Sequence, residues 1–212
     1  MFDKKRNKLV EKLKKNCYIL SKDVEIAFLE TPREKFVIEK FLDSSYIDSP
    51  LEIGNGQTIS APHMVAIMCE ALKIKPGQKI LEIGSGSGYH AAIVSKLVGK
   101  KGHVYTIERI PALADFAKKN LKSAEINNVT VEIGDGSCGL KKFAPYDIIY
   151  VTCAAPDVSP SYYNQLKNNG KLLIPIGRQI CELMLFEKLN KNFVSKNLGG
   201  CAFVPLIGKY GH

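Results

Sequence analysis

Leu81-Glu82-Ile83-Gly84-Ser85-Gly86-Ser87-Gly88-Tyr89 runs out of an apolar strand, through a glycine-rich turn and into a helix. Glycines at 84, 86 and 88 let the backbone turn sharply and come close to a bound molecule without a Cβ in the way. The dinucleotide fingerprint of dehydrogenases places its third glycine one residue later, where this chain has Tyr89, which counts against a nicotinamide cofactor. Glu82 sharpens the distinction. A pyrophosphate wants the bare amides of a helix N-terminus, whereas a carboxylate just before the turn favours a cationic group.

Strands and helices alternate on either side of this turn. Lys79 to Ile83 is a short apolar strand, Ala91 to Val98 a helix and His103 to Glu108 the next strand. A second helix carries Leu113, Phe116, Ala117 and Leu121, and Val129 to Ile133 and Asp147 to Val151 supply two more strands. Helix-length crossovers between strands imply a parallel sheet covered on both faces. Lys171 to Ile176, Leu183 to Phe186 and Ala202 to Leu206 are strand-like but joined by short polar connectors, so the last third predicts antiparallel pairing.

Before Pro76-Gly77 the apolar period is helical. Thr31-Pro32-Arg33-Glu34 reads as an N-cap, a first-turn proline and a capping glutamate, predicting a helix through Phe36, Val37 and Phe41. Gly54-Asn55-Gly56 forces a turn, and Ser60 caps a helix opening at Ala61 that carries Met64, Val65, Met68, Cys69 and Leu72. At the start, Val10, Leu13, Cys17 and Leu20 form one helical stripe, with Lys4, Lys5, Arg6, Lys8, Lys12, Lys14 and Lys15 around it. The expected organisation is one domain over 1–212, with a helical cap and substrate segment at 1–76 and an α/β core at 77–212.

A chain of 212 residues, 45% hydrophobic and 24% charged, can bury a substantial core and is neither disordered, collagen-like nor a small disulfide scaffold. No apolar run approaches the roughly 20 residues that span a bilayer, and the basic start leads into no signal-peptide core, so a soluble, cytoplasmic protein is expected. Cys17, Cys69, Cys138, Cys153, Cys181 and Cys201 include no CxxC pair and read as small reduced core fillers, with no metal site expected. The net charge of +9 concentrates at the N-terminus without interleaved aromatics, which reads as a solvated helix face and disfavours nucleic acid as a partner.

Two further acidic residues fall at strand ends. Glu108 lies about 20 residues past the glycines, where a carboxylate accepts both ribose hydroxyls. Gly134-Asp135-Gly136 closes the following strand and offers an acceptor for an adenine amino group. With Glu82, three successive strands present acid at one sheet edge, a pattern that fits a nucleoside carrying an ammonium and a sulfonium: S-adenosyl-L-methionine.

Together with this loop, Gln57-Thr58-Ile59-Ser60-Ala61-Pro62-His63-Met64, Gly134-Asp135-Gly136, Pro145-Tyr146-Asp147 and Phe203-Val204-Pro205-Leu206 resemble the protein-L-isoaspartate O-methyltransferase family. The Gln57 to Met64 segment is the specific one, and matching stretches run from about Pro32 to Gly208. The resemblance implies a Rossmann-like methyltransferase fold with a mixed sheet and an N-terminal helical cap. It implies methyl transfer from S-adenosylmethionine to the free α-carboxylate of L-isoaspartyl residues, whose ester collapses to a succinimide and begins repair. It also implies isoaspartyl proteins and peptides as partners, and a monomer. By the same resemblance Ser60 is the active-site serine and binds substrate together with Val204, while Gln57, Thr58, Ile59, Glu82, Gly84, Ser85, Gly86, Glu108, Arg109, Gly134, Asp135 and Gly136 hold the cofactor.

This chemistry is economical, because a carboxylate is already ionised at pH 7 and a sulfonium methyl already activated, so no strong base or metal is required. Ser60 then positions the substrate by donating a hydrogen bond, beside free amides at the helix start. His63 is assigned no catalysis. Thr152-Cys153-Ala154-Ala155-Pro156 lacks the Asn/Asp-Pro-Pro-aromatic motif of nucleobase amine methyltransferases, and a nucleophilic Cys153, as RNA cytosine methylation would need, stays open from sequence.

Overall fold

The computed structural model describes every residue except Met1, Gln179 and Lys191. Helices α1 (Phe2–Lys15) and α2 (Lys22–Glu30) lead through two 3₁₀ turns to an antiparallel hairpin, β1 (Leu51–Gly54) and β2 (Gln57–Ile59), and then α3 (Pro62–Leu72). The core follows as β3 (Lys79–Ile83), α4 (Tyr89–Val98), β4 (His103–Glu108), α5 (Pro111–Ser123), β5 (Val129–Ile133) and β6 (Tyr146–Val151). A short α6 (Pro160–Gln165) precedes β7 (Leu166–Gly177), β8 (Cys181–Leu189) and β9 (Asn192–Cys201).

The main sheet has seven strands in the order β5-β4-β3-β6-β7-β8-β9. Strands β5 to β7 of that order are parallel, and β8 and β9 add an antiparallel edge. The chain winds outward from β3 in one direction and then, from β6, in the other, so the crevice beyond the carboxyl ends of β3, β4 and β6 is the topological switch point where open α/β sheets bind ligands. Alternation along β3 sends Ile80 into the core shared with the N-terminal helices, α4 and α5, and Leu81 and Ile83 into the core under Tyr162 of α6. Helix α2 packs on α4, so the N-terminal helices are seated on the helical layer next to the glycine loop.

Four expectations are corrected. Residues 51–59 form a hairpin, not helix; the turn at Gly54, Asn55 and Gly56 has positive φ throughout, and strands this short leave too little sequence for a period to register. Thr31 closes α2 instead of opening a helix, its hydroxyl donating to the Ala27 carbonyl at 2.7 Å. Only 3₁₀ turns, Arg33–Phe36 and Glu39–Phe41, follow it, because Arg33 is drawn inward to serve two distant carbonyls. Helix α1 ends at Lys15 and Cys17 adopts φ +59°, so the buried set is Leu9, Val10 and Leu13, while Cys17 is exposed and Leu20 is 73% exposed. Finally, residues 202–206 are not a strand: β9 lies just upstream, and Pro205, which has no N–H, makes only an isolated bridge with Ala154.

Candidate active site

At the switch point a cleft of about 930 Å³, solvent at its mouth included, gathers most of the sequence-predicted residues. Gln57, Thr58, Ile59 and Ser60 enter from β2 and the segment before α3; Glu82, Gly84, Ser85 and Gly86 from the end of β3 and its loop; Glu108 and Arg109 from the end of β4; Gly136 from beyond β5; and Val204 from the C-terminal segment. Gly134 and Asp135 are not brought to its wall. Asp135 instead organises the chain behind it: Oδ1 accepts the Ser137 amide at 2.9 Å and hydroxyl at 2.7 Å, and Oδ2 accepts the Lys209 amide at 2.8 Å. Burial pushes its carboxyl up, but these hydrogen bonds together outweigh it and hold the group below the ordinary aspartate range.

The loop is glycine where no other residue fits. A Cβ on Gly84 would meet Thr152 Oγ1 at 2.5 Å, and Gly84 holds φ +95°. Glu108 is tied to the same loop, its Oε2 accepting the Gly86 amide at 3.0 Å and its Oε1 the Ile110 amide at 3.0 Å. An ionised carboxylate has about four acceptor sites, so each oxygen keeps one for a ligand hydroxyl.

Glu82 is sealed, with no exposure to solvent. In the sheet register it stands between Thr106 of β4 and Tyr150 of β6, and both hydroxyls donate to it, at 2.5 and 2.9 Å. Ser85 joins the chain through Thr106, 2.7 Å from hydroxyl to hydroxyl. Burial outweighs these bonds and pushes the Glu82 carboxyl up to about 8, with Glu108 adding repulsion. No cation pairs with it among the described residues. His90, on the first turn of α4, lines the cleft with its ring 4.6 Å from that of Tyr150; its Nδ1 is buried without a partner among the described residues, and burial lowers its pKa to about 3. Sequence reasoning missed Thr106, Tyr150 and His90. The signal for the first two was a polar residue at the same level of each neighbouring strand, interrupting apolar runs.

Ser60 sits at the junction of β2 and α3. Its role as helix cap is corrected: Ala61 is the N-cap, and Pro62 opens the helix. The amides expected to be free there are also taken, since Pro62 has none, His63 donates to Asp48 Oδ1 at 2.9 Å and Met64 donates to the Ala61 carbonyl. The His63 ring is held by the same Asp48 oxygen at 2.9 Å. Among the described residues the Ser60 hydroxyl has no partner, while its carbonyl accepts Arg33 Nη2 at 2.9 Å. Cys153 lines the cleft but is 8% exposed, and burial together with the carboxylates of Glu108 and Glu82 drives its thiol far above the ordinary range, so the nucleophile reading lapses.

A sequence profile described as protein-L-isoaspartate(D-aspartate) O-methyltransferase matches residues 4–211. The protein-L-isoaspartate O-methyltransferase of Methanococcus aeolicus is 52% identical over 208 residues, covering 98% of this chain and 96% of the relative. A solved protein-L-isoaspartate O-methyltransferase superposes with a TM-score of 0.90 at 34% identity, covering 97% of this chain and 67% of that one. A putative Plasmodium falciparum enzyme of that name, crystallised with S-adenosyl-L-homocysteine, gives 0.86 at 30% identity, covering 95% and 98%. With the glycine loop, the strand-end acids Glu82 and Glu108 and the Ser60 junction in one cleft, and relatives matching over nearly the whole chain, this chain belongs to the protein-L-isoaspartate O-methyltransferase family.

Proposed function

We propose that the chain carries out its family's reaction in this cleft, transferring the S-adenosylmethionine methyl to the free α-carboxylate of an L-isoaspartyl residue and so initiating repair through a succinimide. The observation that carries the reading is the pairing, in one cleft, of a buried carboxyl and a serine hydroxyl that, among the described residues, have respectively no cation and no partner.

The residues present suit this cofactor. Glu82, buried at its floor, is completed by an ammonium, and Glu108 keeps an acceptor on each oxygen for ribose hydroxyls. Gly84, Ser85 and Gly86 offer close-approaching backbone, Gln57, Thr58 and Ile59 the opposing contacts, and Arg109 an exposed cation at the edge. Gly136 faces the adenine side, with Gly134 and Asp135 acting there by fixing the turn that Gly136 belongs to. When bound, the cofactor supplies a methyl already activated by its sulfonium.

The chain's own work is then positioning. Ser60 donates its hydroxyl to the isoaspartyl carboxylate, and the Val204 segment lies beside the peptide, anchored by Ala154 N–H to the Val204 carbonyl at 2.8 Å. In-line alignment and exclusion of water supply the rate. The setting we infer is the cytoplasm, with the chain acting as a monomer on aged proteins and peptides; no helix among the described residues is long and apolar enough to cross a membrane.

The test uses labelled S-adenosylmethionine and two synthetic peptides that differ only in Asp or isoAsp at one position. Base-labile label in the isoAsp peptide alone is the expected result. Label in both peptides alike, in RNA, or in neither overturns the assignment.

A further inference from the structure

Arg33 is fully buried, and no ion pair of the described residues includes it. Its Nε donates to the Ser45 carbonyl at 2.9 Å and its Nη2 to the Ser60 carbonyl at 2.9 Å, while its guanidinium lies 4.6 Å from the centre of the Tyr89 ring. The remaining nitrogen, Nη1, is buried with no hydrogen-bond partner among the described residues. A cation taken out of water without a carboxylate in contact is costly, and a core that needed only filling would be better served by an apolar side chain. Arg33 is therefore held for its geometry.

That geometry joins the two halves of the cleft. Ser60 ends the segment that meets the substrate, and Tyr89 is the first residue of α4, directly after the glycine loop that meets the cofactor. One rigid, planar side chain hydrogen-bonds the first and lies against the ring of the second. We propose that Arg33 is a positioning residue for methyl transfer: its guanidinium sets the distance between the Ser60 junction and the glycine loop, and so the alignment of acceptor oxygen with donor methyl. The proposal rests on the reading of Ser60 given above. Arg33 touches neither reactant, since it is absent from the cleft wall, and acts through the main chain of Ser60 and the ring of Tyr89.

The experiment compares Arg33→Lys, Arg33→Gln and Ser60→Ala, reading kcat and KM for an isoAsp peptide alongside the calorimetric affinity for S-adenosylhomocysteine. Lysine keeps the charge but not the planar fork; glutamine removes the buried charge and its desolvation cost and keeps an amide donor, so it carries the test should the lysine variant fail to fold. Misalignment on the order of 1 Å is enough to cost about 100-fold, so both Arg33 variants are expected to lose roughly 10- to 100-fold in kcat with affinity for S-adenosylhomocysteine changed by less than about threefold. In a Ser60→Ala background the Arg33 effect should shrink, because the two residues act as one unit. An undiminished kcat in Arg33→Gln, or kcat and ligand affinity falling together, overturns the proposal. If Ser60→Ala itself keeps full kcat, the reading of Ser60 fails first; if Ser60→Ala loses kcat and the Arg33 variants do not, only the inference about Arg33 fails.

Discussion

Tyr150 stands opposite Glu82 in the β3–β6 register, and its hydroxyl donates to Glu82 Oε1 at 2.9 Å. With Thr106 on the other side, both oxygens of the carboxyl are held from neighbouring strands, yet burial still lifts it to about 8, so at pH 7 it is mostly protonated in the free chain. An ammonium entering the cleft reverses that balance. Binding of S-adenosylhomocysteine, which carries the same ammonium, is therefore expected to release a proton from Glu82. Calorimetric titrations at pH 7 in two buffers of different ionisation enthalpy should give different apparent heats, and Glu82→Gln should remove the difference. Equal heats in both buffers for the unaltered chain would show that the carboxyl does not change its protonation on binding and overturn the expectation.

The same group shapes stability of the free chain. Its folded pKa, about 8, lies above the ordinary 4.5, so the folded state holds this proton more tightly than the unfolded one. That contribution is complete below about pH 4.5 and is lost as pH rises toward 8, on the order of a few kcal/mol. Thermal unfolding between pH 5 and 8.5 should accordingly show Glu82→Gln gaining on the parent chain as pH rises. Parallel curves would contradict the assignment.

Much of this was readable in advance, for reasons tied to particular residues. The parallel core was legible because β3, β4 and β5 are short runs rich in Val, Ile and Leu that end at glycine or acid, and their bounds at Lys79–Ile83, His103–Glu108 and Val129–Ile133 match the sequence expectation. The hairpin before Ser60 was not, since Leu51–Gly54 and Gln57–Ile59 are only four and three residues long and carry no period of their own. Strand β9 was missed for a related reason: as an edge strand it is mostly exposed and polar, so it lacks the apolar alternation that marks a strand. In the cleft, residues carrying charge at strand ends were visible, whereas Arg33 looked like a first-turn residue. Its partners are main-chain carbonyls of Ser45 and Ser60, which sequence does not advertise.

Gly84 and Gly77 give a controlled pair. Both have positive φ, +95° and +84°, but a Cβ on Gly77 meets open space, whereas one on Gly84 meets Thr152 Oγ1 at 2.5 Å. That hydroxyl cannot simply swing aside, because it donates to the Ile83 and Gly84 carbonyls at 3.0 and 2.7 Å. Gly77→Ala is expected to cost only backbone strain, of order 1 kcal/mol, with ligand affinity unchanged. Gly84→Ala should cost a further 1–3 kcal/mol or so from the overlap and weaken S-adenosylhomocysteine at least tenfold. Chemical denaturation and calorimetry on the two variants check this, and equal behaviour would mean that the loop yields more than its packing implies.

Asp135 separates two ways in which an acidic strand end can serve the site. Its oxygens hold the amides of Ser137 and Lys209, and the Ser137 hydroxyl accepts the Tyr210 amide at 3.0 Å, so the carboxylate fastens the C-terminal segment that continues from Val204 to the cleft. In Asp135→Asn the side-chain oxygen can satisfy Ser137, but the new amide then faces the Lys209 N–H donor to donor. The segment should loosen where the peptide lies, raising KM for an isoAsp peptide several-fold while affinity for S-adenosylhomocysteine falls by less. Ser137→Ala, which removes the Tyr210 contact but leaves Asp135 ionised, should shift KM in the same direction by a smaller factor. If instead ligand affinity falls more than peptide KM rises in Asp135→Asn and is unaffected in Ser137→Ala, the carboxylate turns to the adenine when the cofactor is bound, and the C-terminal tether is a contact of the free chain alone.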